Sequence, residues 1–202
     1  MAEKVVIEHR LAERGKETVA LPTARITYND VFSLKYLYTL MHEWFVDRGY
    51  ASRKDETFPE TFYLQREAIS GREVWVRWRL EREVGPKPSL WTLAFDIDIH
   101  VLFLKEVEVL IQGKKVKADK GEVEIEIRPF VIVDFSAWEK QNPLWKFAKQ
   151  VLLKRFYRRQ RGAYEDEMVT DSFALQEAIK TYLKLETFGE VKPARRVWEQ
   201  RP

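Results

Sequence analysis

The 202-residue sequence contains no cysteine. Disulfides, thiolate metal sites and cysteine nucleophiles are therefore excluded. Long apolar runs are missing as well. Nowhere do about 18 consecutive apolar residues occur, and the opening MAEKVVIEHRLAERGKE has no long apolar segment. Neither a membrane span nor a signal peptide is expected, and the cytoplasm is the default location. Glycine is scarce and scattered. All eight (Gly15, Gly49, Gly71, Gly85, Gly113, Gly121, Gly162 and Gly189) stand alone, most of them where turns or helix ends are expected. None is left to build a phosphate loop, a dinucleotide fingerprint or a nucleophile elbow. An excess of one charge is absent too: 35 basic against 32 acidic side chains leave +3, too balanced to demand a polyanionic partner.

What is present is an ordinary globular composition, 45% hydrophobic and 13% aromatic, enough for the core of one domain with extensions. Residues 1–29 read as an N-terminal arm with two short β-prone pieces, EKVVIEHRL and KETVAL, the second ended by Pro22. The segment NDVFSLKYLYTLMHEWFVDRG predicts a helix, with Asn29 or Asp30 as N-cap, Leu34, Leu37, Met41, Trp44 and Phe45 at helical spacing, and Gly49 as the stop. Period-two alternation then predicts strands over Thr61 to Ile69, EVWVRWRLEREV, WTLAFDIDIHVLFL, EVEVLI, a short KKVK piece and EVEIEIRPFVIVDF. Turns are expected at Ser70-Gly71, from Val84 to Ser89, at Gln112-Gly113 and at ADKG ending in Gly121. Asn142 and Pro143 open a helix through PLWKFAKQVLLKRFYRRQR that Gly162 interrupts. A second helix follows from about Tyr164 to Leu185, with Met168, Leu175, Ala178, Ile179, Tyr182 and Leu183 as its buried side. Residues 189–202 form a basic, Pro-broken C-terminal arm. This order predicts an α+β domain over residues 30–188: an antiparallel meander of about five strands with an N-terminal helix and two C-terminal helices packed on it.

The run FDIDIHVLFL places Asp96, Asp98 and His100 at every second position, so a strand presents all three on one face. Two carboxylates and an imidazole are metal-ligating or acid/base residue types. Two residues of strand span about 6.6 Å, however, so the three cannot close round one ion without further ligands, and no other cluster supplies them. If Val84 and Ser89 close the preceding turn, Arg77 lies opposite Asp96, Trp75 opposite Asp98 and Glu73 opposite His100. Such cross-strand pairs each contribute about 0.2–1 kcal/mol and are sufficient reason for the pattern. No metal site is therefore assigned. The remaining histidines, His9 and His42, stand alone and read as structural or surface residues.

The strongest positive feature is KFAKQVLLKRFYRRQR, which has seven basic residues and no acid, with Trp145, Phe147, Phe156 and Tyr157 interleaved. Lys146, Lys149, Lys154, Arg155, Arg158, Arg159 and Arg161 could meet RNA or DNA phosphates while Tyr157 and its aromatic neighbours stack on unpaired bases. The plainer reading is an amphipathic helix whose apolar stripe covers the sheet and whose basic face is neutralised by Glu165, Asp166 and Glu167 or by Glu122, Glu124 and Glu126.

The runs YLYTLMHEWFVDRGY, FDIDIHVLFLKEVEVLIQGKKVKADKGEVEIEI and LQEAIKTYLKL resemble an uncharacterised protein family of small-genome archaea, over roughly residues 30–188. The resemblance implies an intracellular archaeal setting and brings no activity, cofactor or catalytic residue. The function expected is that of a non-enzymatic structural or scaffolding subunit, with no cofactor, that self-associates through its terminal arms and sheet edges into a homo-oligomer or filament. Val5, Val6, Ile7 and Leu11 in one arm and Trp198 in the other, flanked by arginines, are the expected contacts. Two alternatives stand beside it: RNA or DNA binding by the basic helix 145–161, and a small-ligand binder or hydrolase with a cavity under the sheet, lined by Trp75, Trp78 and Trp91.

Overall fold

The computed structural model describes residues 17–54, 57–85, 89–111, 114–134 and 157–186. Their elements are β1 (Glu17–Ala20), β2 (Ala24–Phe32), α1 (Leu34–Asp47), β3 (Glu60–Ala68), β4 (Gly71–Val84), β5 (Trp91–Ile111), β6 (Lys114–Val133) and α2 (Tyr157–Glu186). The strands form one antiparallel six-stranded sheet in the order β1-β6-β5-β4-β3, with β2 also paired to β6 beyond the end of β1. The architecture is the α+β arrangement expected, with more strands and with two helices among the described residues.

Alternation decides the two faces. Val74, Val76, Trp78 and Leu80 of β4, Phe95, Ile97, Ile99 and Val101 of β5, and Val123, Ile125 and Ile127 of β6 point to one side and are buried. There they meet Leu37, Met41 and Phe45 of α1 and Met168, Leu175, Ile179 and Leu183 of α2 in one continuous core. Both helices thus lie on the same face. A smaller apolar cluster, Ala94, Phe130 and Ile132, is buried on the other face at one end of the sheet.

Several sequence expectations need correction. The boundary at residue 29/30 falls inside β2, because Ala24 to Phe32 pair with β6 from Ile127 to Asp119 and bury Ile26 and Phe32. Asn29 and Asp30 are therefore strand residues. The N-cap of α1 is Ser33, whose hydroxyl accepts from the Tyr36 N–H at 3.3 Å. Tyr182 of α2 clasps the same residue, accepting from the Ser33 N–H and donating to its carbonyl, both at 3.0 Å. Gly49 does end α1, in the left-handed conformation at φ 76°.

The ADKG turn does not exist. β6 runs through it as a single strand of 20 residues, and β5 likewise absorbs EVEVLI into 21 residues. Nor does Gly162 interrupt α2, since a lone glycine costs a helix only about 1 kcal/mol relative to alanine and the packed residues downstream outweigh that. The first of the two expected C-terminal helices lies outside the described residues up to position 156. Among the described residues no helix is long and apolar enough to cross a membrane.

Candidate functional site

The Asp96, Asp98 and His100 triplet is co-facial, on the side of the sheet away from the helices. Its register is displaced by two residues from the expected one, because Val84 pairs with Trp91 rather than Ser89. Asp96 thus faces Arg79, Asp98 faces Arg77, and His100 faces Trp75. A two-residue shift preserves the face while changing every partner. On the other flank β6 sets Arg128, Glu126 and Glu124 against the same three residues.

The result is a ladder of charges across three strands. Arg79 Nε lies 3.5 Å from Asp96 and its Nη1 2.8 Å from Asp98, the latter a close contact off the hydrogen-bonding direction. Arg128 donates to the other Asp98 oxygen and lies 3.8 Å from Glu126, which Arg25 of β2 approaches at 3.6 Å. His100 stacks on Trp75, with ring centroids 4.9 Å apart and planes at 18°. Both carboxylates are thus held by guanidinium groups. No set of three His, Cys, Asp or Glu side chains among the described residues is arranged to hold a metal ion. The face is not basic either, because Glu122, Glu124 and Glu126 point to it along β6.

Two further polar clusters lie on the helix side, and sequence reading missed both. Glu60, at the start of β3, accepts from the Tyr38 hydroxyl at 2.9 Å and from the Trp78 indole at 3.0 Å. Burial, reinforced by Glu60, pushes the Tyr38 hydroxyl well above its ordinary pKa. At the far end of α1, Asp171 of α2 accepts from Arg48 and from the Tyr50 hydroxyl, while Arg82 of β4 reaches Glu167 and donates to the Arg48 carbonyl at 3.1 Å. Burial raises the Tyr50 pKa strongly; Arg82 opposes the shift and Asp171 adds to it. These groups fasten α1, α2 and β4 together. Their members are far apart in sequence, so no spacing motif announces them.

The most exposed element is β3. Among the described residues it pairs only with β4, and no described strand lies on its outer edge. Phe62, Tyr63 and Leu64 are 40%, 53% and 46% exposed. Phe62 and Leu64 stand on the charged face beside Arg77 and Trp75, and Tyr63 on the helix face beside Val76. The Arg77 guanidinium lies over the Phe62 ring at 5.4 Å.

The expected self-association contacts Val5, Val6, Ile7, Leu11 and Trp198 lie outside the described residues. So do Lys146, Lys149, Lys154 and Arg155 of the expected nucleic-acid surface, while Tyr157, Arg158 and Arg159 fall in the first turn of α2. Arg161 is described, and its Nε donates to Glu165 at 2.6 Å. Of the three tryptophans expected to line a cavity, Trp78 and Trp91 are core residues and Trp75 is on the opposite face. No family model, curated protein or solved structure matches the chain.

Proposed function

We propose that this chain is a non-enzymatic structural subunit that self-associates, with β3 as the pairing edge. The observation that carries the reading is the outer edge of β3, which no described strand covers and which is nine residues long and apolar at its centre. An edge strand presents a row of unpaired N–H and C=O groups, and proteins that stay monomeric blunt such edges with lysine, proline or a cover. Between Glu60 and Ala68 there is no lysine and no proline. The strand bulges only at its start, between Glu60 and Phe62.

Antiparallel pairing of two β3 strands about Leu64 is self-complementary. It sets Phe62 opposite Arg66 of a second copy, Tyr63 opposite Gln65, Thr61 opposite Glu67 and Glu60 opposite Ala68, with no like charges facing. A register centred on Arg66 would oppose two arginines, and one centred on Phe62 would leave both Arg66 side chains unmatched. The two-fold arrangement joins two six-stranded sheets into one and needs no other partner.

Light scattering across a concentration series tests this. A mass of two chains that falls to one in Leu64→Lys, with an unchanged circular dichroism spectrum, is the expected result. A wild-type mass of one chain at the highest concentration reached, or a dimer indifferent to Leu64→Lys and Phe62→Lys together, overturns it.

A further inference from the structure

On the face of the sheet away from the two described helices, exposure changes from one end to the other. Phe62 and Leu64 of β3 are half-exposed, whereas Ala94 of β5 and Phe130 and Ile132 of β6 are at most 5% exposed. The burial continues on the next rung, where Asp96 is 6% exposed. Side chains stand upright on a strand, so neighbours in the same sheet shield their flanks, and a second layer is needed to shield their tips. Both described helices pack on the opposite face. A further layer therefore lies over this end.

The path of the chain points to its source. Residues 135–156, outside the described residues, leave the sheet and return to it at this same end. Asp134 closes β6 there, its N–H donating to the Leu90 carbonyl at 2.9 Å, and Val133 pairs with Trp91. Tyr164, near the start of α2, packs on the same Trp91 with ring centroids 5.4 Å apart. Between these two anchors the sequence carries Leu144, Phe147, Ala148, Val151 and Leu152 at three- and four-residue steps, with Lys146 and Gln150 on the other side of the same helical pattern. As a helix that stripe is about 12 Å long. The strand from Arg128 to Ile132 is about 13 Å long, so the two match. A second copy paired through β3 leaves these rungs untouched, because they lie at the other end of the face.

We propose that the face over Ala94, Phe130 and Ile132 is the docking site of the chain's own segment 143–156, lying on it as an amphipathic helix through Phe147, Val151 and Leu152. The sheet is then enclosed between helices at this end and open beside β3. Phe147 is taken up by the sheet and does not stack on a nucleic-acid base. The contact belongs to one chain and does not depend on the pairing of β3.

The absence of cysteine makes an engineered thiol unique in the chain, so alkylation by iodoacetamide reads the cover directly. Thr92→Cys stands on the covered part of the face beside Ile132, and Arg77→Cys on its open part. The Thr92→Cys thiol should react at least tenfold more slowly than the Arg77→Cys thiol, at every protein concentration and equally in a Leu64→Lys background. Phe147→Lys with Val151→Lys should raise the Thr92→Cys rate at least tenfold and leave the Arg77→Cys rate unchanged. Should that variant fail to fold, Thr92→Cys with Ala148→Cys replaces it, and a short bismaleimide should join the two thiols within one chain. Equal reactivity of the two single thiols overturns the assignment. So does protection that is lost on dilution or in Leu64→Lys, which would make a second copy the cover. Continued protection in a folded Phe147→Lys, Val151→Lys chain, or absence of the intrachain cross-link, overturns it as well.

Discussion

A Cβ built on Gly71 would lie 2.7 Å from the carbonyl carbon of Phe103. Phe103 is itself the one non-glycine residue with positive φ, 55°, among those described. Gly121 closes on the same place from the other flank, where its Cβ would lie 2.7 Å from the Leu102 oxygen. The three mark one irregularity: the pairing of β5 slips between Leu102 and Lys105 against β6, and the β4 pairing slips between Arg72 and Val74. Two side-chain-free positions let the bulge of β5 fit between its neighbours.

Replacing either glycine by alanine drives a methyl group into backbone that cannot rotate away. Gly71→Ala and Gly121→Ala should each cost at least about 2 kcal/mol, and Gly71→Ala more, since its φ of 139° is also unfavourable to a side chain. Phe103→Gly should do the reverse. It removes a left-handed penalty of about 1–2 kcal/mol against an entropic cost of about 0.5–1, and little packing is lost from a half-exposed ring. Denaturant midpoints of the three variants check this; equal destabilisation by Phe103→Gly would show that the ring, not the bulge, matters.

Strand faces were legible, because alternation from Val74 to Leu80 and from Phe95 to Val101 survives any even shift of register. Partners were not. Whether Val84 meets Ser89 or Trp91 depends on the loop conformation, and the difference moved Asp98 from Trp75 to Arg77. ADKG has turn composition, yet Gly121 serves close approach to Leu102 rather than a change of direction. Apolar spacing marks α1 from Leu34, but Asn29 and Asp30 are capping types wherever they occur, so residue type alone does not single out Ser33 as the cap. Clusters such as Arg82 with Asp171 depend on tertiary packing, for which local pattern carries no signal. The openness of β3 was equally hidden, since an edge strand and a central strand can share one alternation.

The charged ladder should behave as a coupled unit. Arg79 is shared by Asp96 and Asp98, Arg128 by Asp98 and Glu126, and both arginines are largely buried. Removing one cation leaves acidic groups short of compensation in a poorly solvated place, so Arg79→Met or Arg128→Met should cost about 2–4 kcal/mol. Asp98→Asn in the Arg128→Met background should recover part of that loss. A double-mutant cycle of Arg128→Met and Asp98→Asn should give a coupling of at least about 1 kcal/mol. Additive losses would mean that the pair contributes no more than an exposed one.

Stability should fall in alkali, and Tyr50 should account for much of the fall. Its hydroxyl is buried, donates to Asp171 at 3.0 Å, and is held above its ordinary value of 10.0 in the folded chain. In the unfolded chain it ionises near pH 10, so above that pH the unfolded state binds fewer protons than the folded state. Unfolding then becomes more favourable as pH rises. The contribution is complete below pH 10 and shrinks above it by up to about 1.4 kcal/mol per pH unit, until the folded hydroxyl also ionises. Tyr50→Phe keeps the ring against Phe45 and Phe95 but removes the titrating proton. It should cost about 1–2 kcal/mol at pH 8, because Asp171 loses a buried donor, and should flatten the decline above pH 10. Urea unfolding of both proteins from pH 8 to pH 11 measures the two slopes. An equally steep decline in Tyr50→Phe would place the alkaline sensitivity elsewhere, with Tyr38 beside Glu60 the next residue to replace.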